Sequence, residues 1–560
     1  MGKLFLGAAI TLIATTGLLV GSPSVKAKCQ LIQNIVGYTP TADTAELHRF
    51  SWLAFEQGIV LATGSAEPDK KLQRCQVVDG KNRYLLPGLI DAHGHVSALG
   101  SEMLRVQLRG VKSETEAVEK VKDFASKNPS SSWVLGRGWN QVLWLDKQFP
   151  GKNSLDQSGI NKPILLRRID GHAAWANNEA LKRAGINRQT ADPQGGKILR
   201  DAGGKATGIL IDNAIALVED KIPAPSKMEQ QFAFDKAFSR LISLGIVSVH
   251  DAGVSRVDLE IYRQRLKSGQ LPLRIYAMLN GSSTRLGEWL ANGIFEDPDG
   301  FLSIRSVKLY SDGALGSRGA ALLAPYSDDV DNKGLLLTRP EKLQQDINHI
   351  LASGFQVNVH AIGDHGNRLV LDSLESAYHK VGGKQLRNRI EHAQIVAPED
   401  IPRFKPLAII ASMQPIHATS DKNMAQDRLG KKRLVGAYAW QKFLQQGTVV
   451  ASGSDFPVEL ANPFHGLHAA VTRQDKNNQP EGGWLPGEKM TSAQALRSFT
   501  LDAAFAAHQE KTLGSLEPGK WADFILVDRD IVEGKAEDIW KTRVLQTWIA
   551  GVKKYDGAGG

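Results

Sequence analysis

The feature that most limits how this chain can fold is a series of apolar segments alternating with helical stretches. They are Leu86–Ala92, Ile246–His250, Leu273–Leu279, Ser303–Tyr310, Gln356–His360, Arg389–His392, Ala408–Met413 and Thr448–Ser454. Apolar strands separated by helices favour a parallel sheet covered by helices. Eight such strands close a (β/α)8 barrel. A stretch from about 113 to 230 separates the first two segments. It carries strand-like pieces of its own, Trp133–Arg137 and Pro163–Ile169, and reads as an insertion after the first barrel strand. Loops that follow strands lie on the catalytic face of such barrels.

Short strand candidates flank the barrel: Cys29–Val36, Ser51–Phe55, Gly58–Ala62 and Gln76–Val78 before it, Phe524–Val527 and Val544–Ala550 after it. The expected architecture is α/β: a TIM barrel over 85–510, with a small β-sandwich domain built from both chain ends, 28–84 and 511–560. The 560 residues are 42% hydrophobic and 23% charged, which excludes disorder.

Residues 1–27 read as a secretory signal peptide. Lys3 precedes a nearly unbroken apolar run from Leu4 to Val20, which Gly21-Ser-Pro23 ends, and Val25-Lys-Ala27 offers a small-residue cleavage site. A single membrane anchor is the alternative, because the run reaches the lower edge of a span. No other run is apolar enough to cross a bilayer, so no stable span is expected after cleavage. Export places the mature chain in the periplasm, or outside the cell. Disulfides form there, and Cys29 and Cys75 are available to pair. Their bridge would stabilise the fold by about 4 kcal/mol in the chain-entropy model. The net charge of +9 is thinly spread. The one dense basic patch, Lys431-Lys432-Arg433 after Arg428, reads as a solvated helix face. No nucleic-acid partner is expected. The expected partner is a small-molecule substrate, and a homo-oligomer is left open.

Metal-ligand residue types stand at five of the strand ends. His93 and His95 are two apart, so one strand face presents both. His360, His392 and Asp455 close three later segments, and Lys308 stands at the corresponding height on another. An ammonium repels a cation. A lysine whose pKa is lowered by burial is different: its free amine adds carbon dioxide and becomes an anionic carbamate able to bridge two metals. The pattern predicts a centre of one or two divalent ions, with zinc the expected metal. In the two-metal form His93 and His95 hold one ion, His360 and His392 the other, and carboxylated Lys308 lies between. A zinc ion lowers the pKa of water from 15.7 to about 7. Asp455 is placed to act as general base and then general acid.

The motifs LPGLIDAHGHV, LRRIDGHAAWANNEAL, VKLYSDGALGSRGA, NVHAIGD, RIEHAQ, ASGSDFPV and GSLEPGKWADFILVD appear in this order. Their combination resembles the metal-dependent amidohydrolase superfamily, and within it the amidohydrolase-3 group that includes N-substituted formamide deformylase. The resemblance covers nearly the whole mature chain. It implies His93, His95, Lys308, His360, His392 and Asp455 as the metal set. It also implies hydrolysis of a C–N bond in an amide, an N-formyl or N-acyl amine, or a cyclic amide. Hydrolysis of a lactone or ester at the same metals is one alternative. A non-catalytic periplasmic binding protein on the same fold is another.

Around this centre the sequence offers substrate-binding candidates. His172 and Trp139 lie on the insertion. Asp312 and Arg318 follow Lys308, and Gln414 and His417 follow the seventh strand. His250-Asp251 reads either as support for a ligand or as a helix cap.

Overall fold

Runs of Val, Ile and Leu that are buried on both faces build a parallel sheet at the centre of the molecule. The computed structural model describes residues 29–44, 46–129, 131–141, 144–168, 173–193, 196–316 and 318–557. The expected signal segment lies outside the described residues. The parallel strands are β1 Leu89–Gly94, β2 Ile246–Val254, β3 Arg274–Asn280, β4 Leu302–Tyr310, β5 Gln356–Ala361, β6 Arg389–His392, β7 Ile410–Met413 and β8 Val450–Ser452. Each pairs with the next in chain order. β8 returns to β1 through single backbone bonds: Asp455 N–H donates to the His93 carbonyl at 2.7 Å and His95 N–H to the Phe456 carbonyl at 2.9 Å. This is the (β/α)8 barrel that the eight segments predict.

Helices cover the barrel and begin where the sequence supplies caps. Lys227–Ser243 starts at a Ser226/Glu229 capping box and Arg256–Lys267 at a Ser255/Asp258 box. Their apolar faces, among them Phe234, Phe238, Leu241, Leu259 and Tyr262, join the main core with Val247, Val249 and Ile275.

The chain ends combine into one mixed sheet of eight strands. Gln30–Pro40 and Gln76–Pro87 run parallel at its centre, and Phe524–Val527 pairs antiparallel with the latter. The sheet folds over, so that Phe55 meets Phe524 and Trp548 at ring separations of 5.6 and 5.9 Å. The two layers of the expected sandwich are therefore continuous through the long strands. Cys29 and Cys75 are disulfide-bonded beside this core.

The expected first segment, Leu86–Ala92, divides at Gly88: Pro87 ends a strand of the outer sheet and Leu89 begins β1. A Cβ on Gly88 would lie 2.4 Å from the Val247 side chain, so the close crossing needs glycine. Below the barrel the buried pair Arg274–Asp523, 2.7 Å apart, ties β3 to the outer sheet, with the guanidinium against the Phe301 and Trp521 rings.

Between β1 and β2 lies a second sheet of six strands, from Val106–Gln107 to Ala206–Asp212. It occupies the region read as an insertion. Trp139, Trp144 and Trp175 pack together in its core.

Candidate metal centre

The carboxyl ends of five strands deliver histidine, lysine and aspartate to one place. β1 brings His93 and His95, with rings 5.5 Å apart. β6 brings His392, whose ring lies 4.8 Å from that of His93 and 4.6 Å from that of His360 on β5. His417, in the helix Pro415–Asp421 after β7, stacks on His392 at 6.0 Å. Asp455, just beyond β8, places Oδ1 3.0 Å from His95 Nε2 and 3.7 Å from His93 Nε2. Its Oδ2 lies 3.7 Å from His417 Nε2. Lys308 on β4 is 1% exposed and sets Nζ 3.3 Å from His93 Nε2.

Among the described residues two ligand sets emerge, His93–His95–Asp455 and His392–His417–Asp455, with the ligand atoms of each within 4.8 Å of one another. Asp455 is common to both. The sequence reading assigns His417 to the substrate pocket, whereas the structure places it in the second set. It lies there because the chain turns into a helix directly after Gln414 and carries His417 back over His392. His360 adjoins both sets, and its buried Nε2 has no hydrogen-bond partner.

The hydrogen bonds around the histidines fix which ring nitrogen faces inward. His93 Nδ1 donates to Glu391 at 2.5 Å, His95 Nδ1 to the Ala252 carbonyl at 2.8 Å, and His392 Nδ1 to Gln414 Oε1 at 2.7 Å. Each bond turns Nε2 toward the cluster, the arrangement that histidine ligands of metals adopt; there His95 Nε2 meets Asp455 Oδ1 at 3.0 Å and His93 Nε2 meets Lys308 Nζ at 3.3 Å. Gln414, expected in the substrate pocket, thus holds the orientation of His392.

The charge states agree. Burial, followed by the Lys308 charge, lowers His93 to about 4. Burial lowers His360 to about 3 and puts His392 well below its ordinary value. All three are neutral near pH 7. Burial works to raise Asp455, but the His95 hydrogen bond and the surrounding histidines outweigh it and hold the carboxyl well below the usual range. Glu391 behaves likewise: burial opposes its charge, His93 and Lys308 favour it, and it settles at about 2. Burial lowers Lys308 to about 8, against the pull of Glu391 and Asp455. Burial works to lower His95, but the hydrogen bond and charge of Asp455 outweigh it and raise that ring; the neutral imidazoles of His93, His360 and His392, the ionised aspartate and the orphaned His360 Nε2 form a donor set that fits a divalent cation.

The strand ends depart from simple alternation. His392 and Ala393 have φ of 77° and 41°, and Asp455 has φ of 60°. Non-glycine residues in this region cluster at functional sites. The turn at His392 lets consecutive residues, Glu391 and His392, both serve the centre, although a straight strand would send them to opposite faces.

Other candidates lie differently. Asp312 is fully buried and accepts N–H bonds from Ala321, Ile362 and Gly363 at 2.8, 3.0 and 2.8 Å. Its Oδ1 lies 3.7 Å from His360 Nε2. It organises the loops beside His360 and is not exposed to a substrate. Trp139 is likewise fully buried, donates Nε1–H to the Leu166 carbonyl at 2.7 Å, and belongs to the core of the insertion. The Arg318 guanidinium is paired with Asp328 at 3.0 Å, a partner ten residues on. His172 lies outside the described residues. Asp251 both supports a ligand strand and caps a helix: Oδ1 accepts the Val96 N–H at 2.9 Å, next to His95, and Oδ2 accepts the Tyr262 hydroxyl at 2.6 Å. His250 accepts from Arg389 Nη1 at 2.9 Å beneath the centre.

Glu391 is the functional residue that sequence reasoning missed. Its signal was present: a strand buried on both faces has no ordinary place for the charges of Arg389 and Glu391.

Residues 76–554 match the model of the amidohydrolase family. The chain is 34% identical over 518 residues to protein LONG AFTER FAR-RED 3 of Arabidopsis thaliana, covering 90% of this chain and 88% of that protein. It is 26% identical over 517 residues to N-substituted formamide deformylase of Arthrobacter pascens, covering 89% and 92% of the two chains. Among solved structures, a metal-dependent hydrolase of Pyrococcus horikoshii superposes with a TM-score of 0.75 at 27% identity, covering 91% of this chain and 99% of the other.

Proposed function

Because the chain belongs to the amidohydrolase family, a family of metal-dependent hydrolases, we propose that it hydrolyses a C–N bond. The substrate class is an amide, an N-formyl or N-acyl amine, or a cyclic amide. The observation that carries this reading is the shared carboxylate: Asp455 reaches both ligand sets while hydrogen bonds at Nδ1 turn the Nε2 atoms of His93, His95 and His392 toward it. The similarity to a formamide deformylase supports the choice of bond.

His93, His95, His392, His417 and Asp455 would hold the metal, with His360 and Lys308 beside them. When bound, a divalent ion such as zinc acts as a Lewis acid and makes water a nucleophile at neutral pH. The chain supplies the proton transfers. Asp455, ionised and 7% exposed, takes a proton from the attacking water and returns it to the departing nitrogen. That return matters because an amide anion is a poor leaving group. Lys308, buried and depressed in pKa, supports N6-carboxylation, which would turn a repelling ammonium into an anionic donor. The Cys29–Cys75 bond and the apolar amino terminus support export to the periplasm or beyond.

The test compares metal-loaded wild type with Asp455→Asn on N-formyl and N-acyl amines and on lactones. The expected result is turnover of a C–N substrate by the wild type, with kcat reduced by about 10²–10⁴-fold in the variant. Turnover of lactones alone would replace the bond assignment. Equal rates in both proteins would remove Asp455 from its role.

A further inference from the structure

The seam between β8 and β1 carries His93, His95 and Asp455, yet no strand ladder joins these strands among the described residues. Asp91 on β1 stands at this seam, fully buried. Its Oδ1 accepts the His93 N–H at 3.1 Å and the Ser454 N–H at 3.0 Å. Its Oδ2 accepts the Ser454 hydroxyl at 2.6 Å. Ser454 Oγ in turn accepts the Phe456 N–H at 3.3 Å, so the residues on both sides of Asp455 are tied to one carboxylate. The approach is close: a Cβ on Gly453 would lie 2.5 Å from His93 N and 2.7 Å from Asp91 Oδ1. Asp455 meanwhile holds a left-handed φ of 60°, a conformation that neighbouring contacts must maintain.

We propose that Asp91 is a positioning residue, a latch that fastens β8 to β1 and sets the spacing of His93, His95 and Asp455. The proposal rests on the metal-hydrolase reading, because that spacing matters only if the three residues share an ion. Among the described residues, two backbone bonds, Asp455 to His93 and His95 to Phe456, cross the same seam at the ligand residues.

Cobalt(II) is the probe, because its d–d absorption reports ligand geometry independently of turnover. The full mature chain is compared with Asp91→Asn, Ser454→Ala and the double variant. Asp91→Asn keeps Oδ1 for the two N–H donors and loses the acceptor for the Ser454 hydroxyl. Ser454→Ala removes that bond from the other side. The expected result is an altered cobalt spectrum in both single variants, with cobalt affinity about 10–100-fold weaker in Asp91→Asn. The double variant should lose less than the product of the single losses, because the two residues share one bond. A lower Tm with wild-type spectrum and affinity would make Asp91 merely structural and overturn the latch. If Asp91→Asn does not fold, Ser454→Ala decides: an unaltered spectrum overturns the proposal and an altered one supports it. A wild-type chain that takes up no cobalt overturns the metal reading and the latch together.

Discussion

A histidine becomes a useful ligand only when something decides which nitrogen carries its proton. For His93 that partner is Glu391, a carboxylate buried with one oxygen on Nδ1 and the other without a hydrogen-bond partner. Replacing Glu391 with Gln removes the charge and lets the amide present a donor to Nδ1. Metal affinity should fall by about 10–100-fold, measured by competition with a chromophoric chelator. Wild-type affinity would show that Glu391 does not orient the ligand. The strand-end residues His93, His95, His360, His392 and Asp455 were legible because a parallel barrel has one catalytic face and residue type alone nominates them. Glu391 and the place of His417 were not. One depends on a left-handed turn at His392, the other on a helix that folds back over the mouth.

At the scale of elements, the barrel strands could be read because each is an apolar run bounded by helix caps and glycines. Their edges were harder. Gly88 separates two sheets within one apolar run, and only the proximity of Val247 shows that the chain must cross there. Trp139 was unreadable for a related reason: an aromatic-rich insertion can line a pocket or fill its own core, and composition does not distinguish the two. The structure puts Trp139 against Trp144 and Trp175. Trp139→Phe retains a ring but loses the Nε1–H bond to Leu166. It should lower stability to chemical denaturation by about 1 kcal/mol or more and leave KM unchanged. A raised KM at unaltered stability would return Trp139 to the substrate pocket.

For the whole molecule, stability depends on groups far from the centre. Burial lowers His508 to about 4, with Arg305, Arg387 and Arg389 adding to the shift against its hydrogen bond to the Leu386 backbone. The unfolded chain takes up this proton below about pH 6.5, while the folded chain resists it down to about 4. In that window the unfolded state binds more protons, so stability falls as pH falls. His508→Asn should flatten the stability–pH curve there, and an unchanged slope would show that His508 does not contribute. Reduction of Cys29–Cys75 acts on the unfolded state and should cost about 4 kcal/mol. Denaturant titration with and without reductant measures it, and no difference would mean that the bond does not restrain the unfolded chain. Both effects should leave the barrel centre loaded, because neither group touches it.

The most direct test of the account is metal content per chain on purified mature protein, read with native intact mass. Two ligand sets joined through Asp455 predict two equivalents of a zinc-like ion, with added mass equal to one carbon dioxide on Lys308. Asp455→Asn should retain less than the full complement. A chain that stays free of metal after growth in zinc-supplemented medium and dialysis against zinc would contradict the account, whatever activity it showed.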